Sequence, residues 1–297
     1  MTDLDTLLAW ATKLPSTTNE ADYHTLWHEH CAPLLRADDS DDVSYFQLAH
    51  LGGLCADRLA WVFIAGYQAA IRRTFVRRQF AEWTAFAVSE SADSQQLPGV
   101  TWREGAGGLI CSGYKTWVAS SRFVRHIVVK AGRGKQARYV VVDTQADGVT
   151  LSHKTAPGML PDLSQGQISL NELVVPMADL LDSTDVESFG GFEKLYIFVA
   201  FLAYALRVCV APASQSSEAA ASIAAMSSTG DSSQMIDQIR GALDLAQALH
   251  AAPSPGADPR FADLAEVVQQ LRRSLSGQVF AKDAEWQRDQ KLIAMYR

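Results

Sequence analysis

The spacing of apolar residues changes twice along the chain, and this change constrains the fold more than any other feature. Up to about residue 83, apolar residues recur every three or four positions, as in Leu4, Leu8 and Ala11, which predicts amphipathic helices. From about residue 84 the apolar runs become short and rich in β-branched residues, which predicts strands. After about residue 185 the helical spacing returns.

The predicted strands of the middle region are close together in sequence. Glycine-containing or proline-containing turns separate the apolar runs at residues 85–89, 108–112, 126–130 and 139–143. Parallel βαβ units need a dozen or more residues for each crossover, so this spacing favours an antiparallel sheet or small barrel. We therefore predict an α+β fold with three parts. These are N-terminal helices at 1–83, an antiparallel β domain at 84–185 and a C-terminal helical bundle at 186–297.

The most apolar segment lies at residues 195–211. Arg207 interrupts it and Pro212 ends it before it reaches the roughly 20 residues that a membrane-spanning helix needs. The segment is therefore predicted to be a buried core helix, and no membrane partner is expected.

Charge and cysteine usage exclude further classes of protein. A net charge of −7 argues against nucleic acid as a partner, because binding to phosphates depends on clustered lysine and arginine. The four cysteines contain no CxxC pair, which predicts reduced, buried thiols, and residues 1–5 lack the pattern of a secretory leader. These features indicate a cytoplasmic protein.

His24 and His28 are one helical turn apart, as the two ligands of a helical metal site would be. No third ligand is identifiable at a fixed spacing. The sequence therefore predicts a solvated helix face and no metal site.

Three motifs carry a resemblance to a known family. The run LICSGYKTWVASS at 109–121 resembles the Gly-x-Lys-x-Trp-Ile-Thr strand of the acyl-CoA dehydrogenase family. Residues 85–91, AFAVSES, resemble the run that leads into its Thr-Glu-Pro motif, and residues 167–176, QISLNELVVP, resemble its Phe-Asp-Asp-Val-x-Val-Pro element. The resemblance covers nearly the whole chain. It implies FAD as cofactor, an acyl-CoA or other small-molecule ligand, and a homo-dimer or tetramer.

The resemblance also implies which residues would contact the flavin. Ser89 matches the threonine of the first motif, and Trp117, Val118, Ala119 and Ser120 match the strand that lies along the isoalloxazine ring. Ala119 replaces the threonine whose hydroxyl hydrogen-bonds that ring. Ser120 or Ser121 could supply a hydroxyl, although strand alternation would direct Ser120 to the opposite face.

Other family positions are also substituted. The family's pyrophosphate-binding arginine has no counterpart, because residues 208–239 contain neither arginine nor lysine. Arg272 and Arg273 stand at or beside sites where the family has glycines that approach the cofactor, and their side chains could contact phosphate instead. At the position of the catalytic glutamate stands Arg297, which cannot accept a proton. The resemblance thus predicts a diverged member, shortened at its C-terminus and without the catalytic base.

Three functions are compatible with this pattern. The first is a flavoprotein of the oxidoreductase class that binds FAD or FMN but does not desaturate acyl-CoA, as in flavin-dependent monooxygenases. The second is a cofactor-free homologue that serves as a binding or scaffold subunit. The third is a dehydrogenase whose base has moved to the apolar helix, where Glu193 is the one acidic candidate.

Overall fold

The computed structural model describes residues 4–35, 43–154, 159–210 and 231–296. The chain divides into two compact units. A helical unit contains residues 1–73 together with 190–297, and a β unit contains residues 74–189. The N-terminal and C-terminal helices therefore belong to one unit. The β unit extends beyond the predicted 84–185, because a short helix at Ser183–Glu187 packs on one of its strands.

Two of the described helices of the helical unit are buried along most of their length. Its described helices are α1 (Leu4–Ala11), α2 (Glu20–His30), α3 (Val43–Cys55), α4 (Leu59–Thr74), α6 (Phe189–Val210), α7 (Asp231–His250), α8 (Arg260–Gln278), α9 (Ala284–Asp289) and α10 (Lys291–Met295), where α5 is the short helix of the β unit. The two buried ones are α4, in which every residue from Leu59 to Arg72 is buried, and α6, in which every residue from Leu195 to Leu206 is buried. The burial of α6 confirms the prediction of a core helix. None of the described helices is long and apolar enough to span a membrane.

Two glycines allow helices to approach α6 closely. A Cβ atom at Gly53 on α3 would lie 2.2 Å from the carbonyl oxygen of Ala200, and one at Gly66 on α4 would lie 2.5 Å from the Cα atom of Ile197. Any larger residue would force the backbones apart. The Gly52-Gly53 pair is thus a helix contact and not a break, since α3 continues through it.

The β unit contains two four-stranded sheets that pack on each other. Its strands are β1 (Thr84–Ala87), β2 (Thr101–Gly105), β3 (Gly108–Ala119), β4 (His126–Ala131), β5 (Arg138–Asp143), β6 (Val149–His153), β7 (Gln165–Val175) and β8 (Leu180–Leu181). One sheet has the order β1-β4-β5-β8 and the other the order β2-β3-β7-β6. The predicted antiparallel pairing is confirmed for all neighbours except β1 and β4, which are parallel.

β3 carries the segment that the sequence singled out. From Leu109 to Lys115 alternate residues are buried, which is the pattern of a strand with one face on the core. The register with β7 shifts between Lys115 and Val118, and beyond this irregularity Val118, Ala119 and Ser120 are all buried in succession. Buried and exposed side chains therefore do not alternate at the end of β3. The prediction that Ser120 faces opposite to Ala119 assumed such alternation, so it has no basis here.

The four cysteines, Cys31, Cys55, Cys111 and Cys209, are free and buried, which confirms the prediction of unpaired interior thiols.

Candidate functional site

Lys115 occupies a core-facing position of β3. Its side chain is 0% exposed, and its Nζ atom lies 2.6 Å from Oε1 of Glu90, whose side chain is 19% exposed. Isolated burial of an ammonium group is costly, so this carboxylate is the charge partner that makes the position tolerable.

Backbone contacts bring Glu90 to the strand. The amide of Thr116 donates to the carbonyl of Ser89 at 2.9 Å, so the chain leaving β1 lies along β3. A Cβ atom at position 99 would lie 2.5 Å from the Cδ atom of Glu90, so a larger residue there would displace this carboxylate. Gly113 has φ +127°, and a Cβ atom there would meet the carbonyl oxygen of Gly99. The pairing of Lys115 with Glu90 thus depends on a close contact between backbone segments, which residues larger than Gly99 and Gly113 would disturb.

Arg133 provides the second cation for Glu90. Its Nη2 atom donates to Oε2 of Glu90 at 2.8 Å, although the arginine side chain is 73% exposed. Burial acts to raise the pKa of Glu90, but hydrogen bonds and charges from Lys115 and Arg133 outweigh it and hold that pKa below its usual value. The carboxylate is therefore ionised at neutral pH and engaged on both oxygens.

A surface groove with a cavity volume of about 700 Å³ lies next to this carboxylate. The guanidinium of Arg138 stacks over the ring of Trp102 at 4.9 Å, and the Trp102 indole donates to the carbonyl of Gln136 at 2.8 Å. Arg133 also lines the groove. Two guanidinium groups suit a negatively charged ligand, because they pair with the oxygens of phosphate or carboxylate groups.

The two serines that follow β3 have buried side chains. Ala119 and Ser120 are both 0% exposed, and Ser120 has a left-handed backbone with φ +52°. The hydroxyl of Ser121 is 2.9 Å from Nδ1 of His153 and forms a hydrogen bond with it. Both serine side chains are therefore buried in the β unit.

The other residues of the predicted flavin strand have partners within the β unit. Trp117 is half-buried, and its Nε1 atom donates to Oε1 of Gln165 at 3.1 Å. Gln165 in turn donates to the carbonyl of Met159 at 2.6 Å, which fixes its side chain. Val118 is fully buried. Ser89 is exposed, and its carbonyl is the acceptor for Thr116.

Glu193 is a largely buried carboxyl group of the helical unit. Glu193 lies in the first turns of α6, and burial raises its pKa to about 7, although Tyr296 and Lys194 act to lower it. The hydroxyl of Tyr296 donates a long hydrogen bond of 3.4 Å to Oε1 of Glu193. Burial and the nearby Glu193 and Tyr67 raise the pKa of the Tyr296 phenol. At neutral pH a group of this kind can donate or accept a proton.

Residues on α8 hold the segment that carries Tyr296. The Nε2 atom of Gln269 donates to the carbonyls of Ile293 and Tyr296 at 2.7 and 3.2 Å. Arg272 donates from Nε to Oε1 of Gln269 at 2.9 Å and from Nη1 to Oε1 of Gln290. Arg272 therefore positions the end of the described chain, a role that the sequence did not predict.

Two of the predicted positions lie outside the described residues. They are Arg297, at the place of the family's glutamate, and residues 211–230 of the segment that contains neither lysine nor arginine.

No protein-family model and no curated protein sequence matches the chain. Solved structures match it over nearly its full length. Butyryl-CoA dehydrogenase from Megasphaera elsdenii is 14% identical with a TM-score of 0.68, and the match covers 100% of this chain and 94% of that one. This chain has the acyl-CoA dehydrogenase fold.

Other solved structures of acyl-CoA dehydrogenase-like flavoproteins are similar to the same extent. The prolyl acyl carrier protein oxidase AnaB is 10% identical with a TM-score of 0.65, covering 98% of this chain and 93% of that one. PigA with FAD and proline is 14% identical with a TM-score of 0.61, covering 98% of this chain and 90% of that one. These matches confirm the predicted fold and the resemblance on which it was based.

Proposed function

We propose that this chain is a protein of the acyl-CoA dehydrogenase fold that binds a ligand without desaturating it and without holding FAD tightly. The observation that carries the proposal is the end of β3, where Ala119 has no hydroxyl and Ser120 and Ser121 are buried. Hydrogen bonds to the isoalloxazine ring are the protein's means of tuning flavin chemistry. The residues present do not fit FAD in the way that the resemblance implies.

The lack of a glutamate at position 297 supports the same proposal. A positioned base contributes roughly 10²–10⁴-fold to a reaction that begins with proton abstraction. Arg297 cannot take this role, because its guanidinium carries no lone pair that accepts a proton at working pH. The proposal corresponds to the second function that the sequence left open, the cofactor-free homologue that serves as a binding subunit.

The groove beside Glu90 supports a ligand of the CoA type. Arg133 and Arg138 could pair with phosphate oxygens, and Trp102, which lies under the guanidinium of Arg138, also lines the groove. An acyl-CoA or similar small molecule, a homo-dimer or tetramer, and a cytoplasmic location complete the proposal.

Proton transfer by Glu193 is the second candidate function. Its pKa of about 7 is suited to a general acid or base, and its carboxyl contacts Tyr296, the residue before the position of the family's glutamate. This corresponds to the third function, in which the base lies on α6.

Butyryl-CoA provides the test of the proposed function. We expect calorimetry to detect its binding, and we expect no reduction of an electron-acceptor dye even with added FAD or after Arg297→Glu. The double variant R133Q/R138Q should bind butyryl-CoA at least about tenfold more weakly, which corresponds to a loss of about 1.4 kcal/mol. The matched control is R103Q, which removes an exposed arginine outside the groove.

Dye reduction by the unmodified chain would contradict the absence of desaturation, and equal binding by R133Q/R138Q would contradict the ligand site. The same samples in deuterated water distinguish the second candidate. If the unmodified chain exchanges the α-protons of butyryl-CoA for deuterium and E193Q does not, the result would favour proton transfer over binding alone.

A further inference from the structure

His24 and His28 of α2 point their Nε2 atoms towards each other. The Nε2 atoms of His24 and His28 are 3.0 Å apart, and both rings are half-buried. The ring centroids are 4.3 Å apart and the rings are tilted by 55°. The four-residue spacing of the two histidines allows this arrangement but does not establish it. Each ring must also adopt the rotamer that points its Nε2 atom towards the other ring.

The separation of the two nitrogens matches a metal-binding pair. Imidazole nitrogens bind Zn²⁺ at about 2.0–2.1 Å. Two such ligands at right angles around one ion are therefore about 3 Å apart, and slightly farther apart in a tetrahedron. The observed 3.0 Å needs only a small adjustment of the side chains to accept an ion.

Without an ion, the same geometry is a hydrogen bond between two neutral rings, in which one Nε2 carries the proton and the other accepts it. A metal ion would take the lone pair of both Nε2 atoms, and the shared proton would move to Nδ1 of its own ring. Because no proton leaves the pair in this exchange, binding changes only the tautomer of one ring.

We propose that His24 and His28 form a binding site for a divalent transition-metal ion of the Zn²⁺, Ni²⁺ or Cu²⁺ class. Imidazole is a preferred ligand of these ions, and hard ions such as Mg²⁺ prefer oxygen. The proposed site differs from the sequence-based prediction of a solvated helix face without a metal site, which remains a prediction. It is independent of the proposed function, since neither histidine takes part in the groove or in the Glu193 pair.

Metal ions bind the neutral form of imidazole, in which one ring nitrogen carries a free lone pair. Competing thiol ligands are not accessible, because all four cysteines are buried.

The test is a calorimetric titration of the full chain with ZnCl₂ at pH 7 in the presence of a non-thiol reductant. We expect one ion per chain, with affinity reduced at least tenfold in H24N and in H28N. The matched control is H30N, since His30 lies on the same helix but its ring packs edge-on against Trp10. Binding by H30N should equal that of the unmodified chain.

A second measurement uses only the unmodified chain, so it does not require that H24N and H28N fold. In the unmodified chain labelled with ¹⁵N-histidine, added Zn²⁺ should shift the Nε2 resonances of two rings and leave the other rings unchanged. The absence of Zn²⁺ binding, affinity unchanged in both H24N and H28N, or shifts at other histidines would overturn the proposal.

Discussion

Glu90→Ala is expected to lower the free energy of unfolding by about 3–5 kcal/mol, because it leaves a buried ammonium group without a partner. Lys115 is 0% exposed and its Nζ atom is 2.6 Å from the Glu90 carboxylate. Urea denaturation followed by tryptophan fluorescence measures the effect, since Trp83, Trp102 and Trp117 all belong to the β unit.

Two further variants separate the buried pair from the exposed one. Arg133→Gln removes the other cation on the same carboxylate, but its side chain is 73% exposed, so we expect a loss below about 1 kcal/mol. The double variant E90Q/K115M removes both buried charges and should recover most of the stability that Glu90→Ala loses. A Glu90→Ala effect no larger than that of Arg133→Gln would show that Lys115 does not depend on this carboxylate.

Glu193→Gln is expected to change how stability depends on pH. The folded state holds the proton of Glu193 up to about pH 7, whereas the ordinary value of a glutamate is 4.5. Because the folded pKa is raised, the stabilisation is fully present below about pH 4.5 and is lost as the pH rises through about 7. The loss should amount to about 2 to 3 kcal/mol.

The glutamine variant cannot ionise, so it should lack this loss. Between pH 5 and 8, the unmodified chain should therefore become less stable relative to E193Q, as measured by urea unfolding at each pH. Glu285→Gln is the matched control, since Glu285 is an exposed carboxylate of the same unit. A difference between E193Q and the unmodified chain that stays constant with pH would show that Glu193 is ionised in the folded protein throughout this range.

The sequence predicted those elements whose burial leaves a clear periodic pattern. The apolar run of α6 and the β-branched runs of β4 and β5 were identified because their side chains lie in the core. β2 and β6 were missed, since they are exposed or half-exposed and consist largely of polar residues. Their pairing with β3 and β7 depends on backbone hydrogen bonds, which leave no hydrophobic pattern in the sequence.

The candidate site was only partly predictable for a related reason. Lys115 and Glu90 both stand within the motifs that carry the resemblance, but their pairing depends on the close approach permitted by Gly99 and Gly113. The contact of Glu193 with Tyr296 joins residues 103 positions apart in the chain. Local patterns do not encode such contacts, because they arise from the packing of helices that are distant in sequence.

The most direct test of the account is the flavin content of the purified chain and its response to added FAD. A ligand that binds the native state raises its stability, by about 2.7 kcal/mol when present at 100 times its Kd. We predict a colourless protein whose Tm does not change with FAD, because Ala119 has no hydroxyl and Ser120 and Ser121 are buried. A yellow protein that releases flavin on denaturation, or a Tm that rises with FAD, would contradict the account.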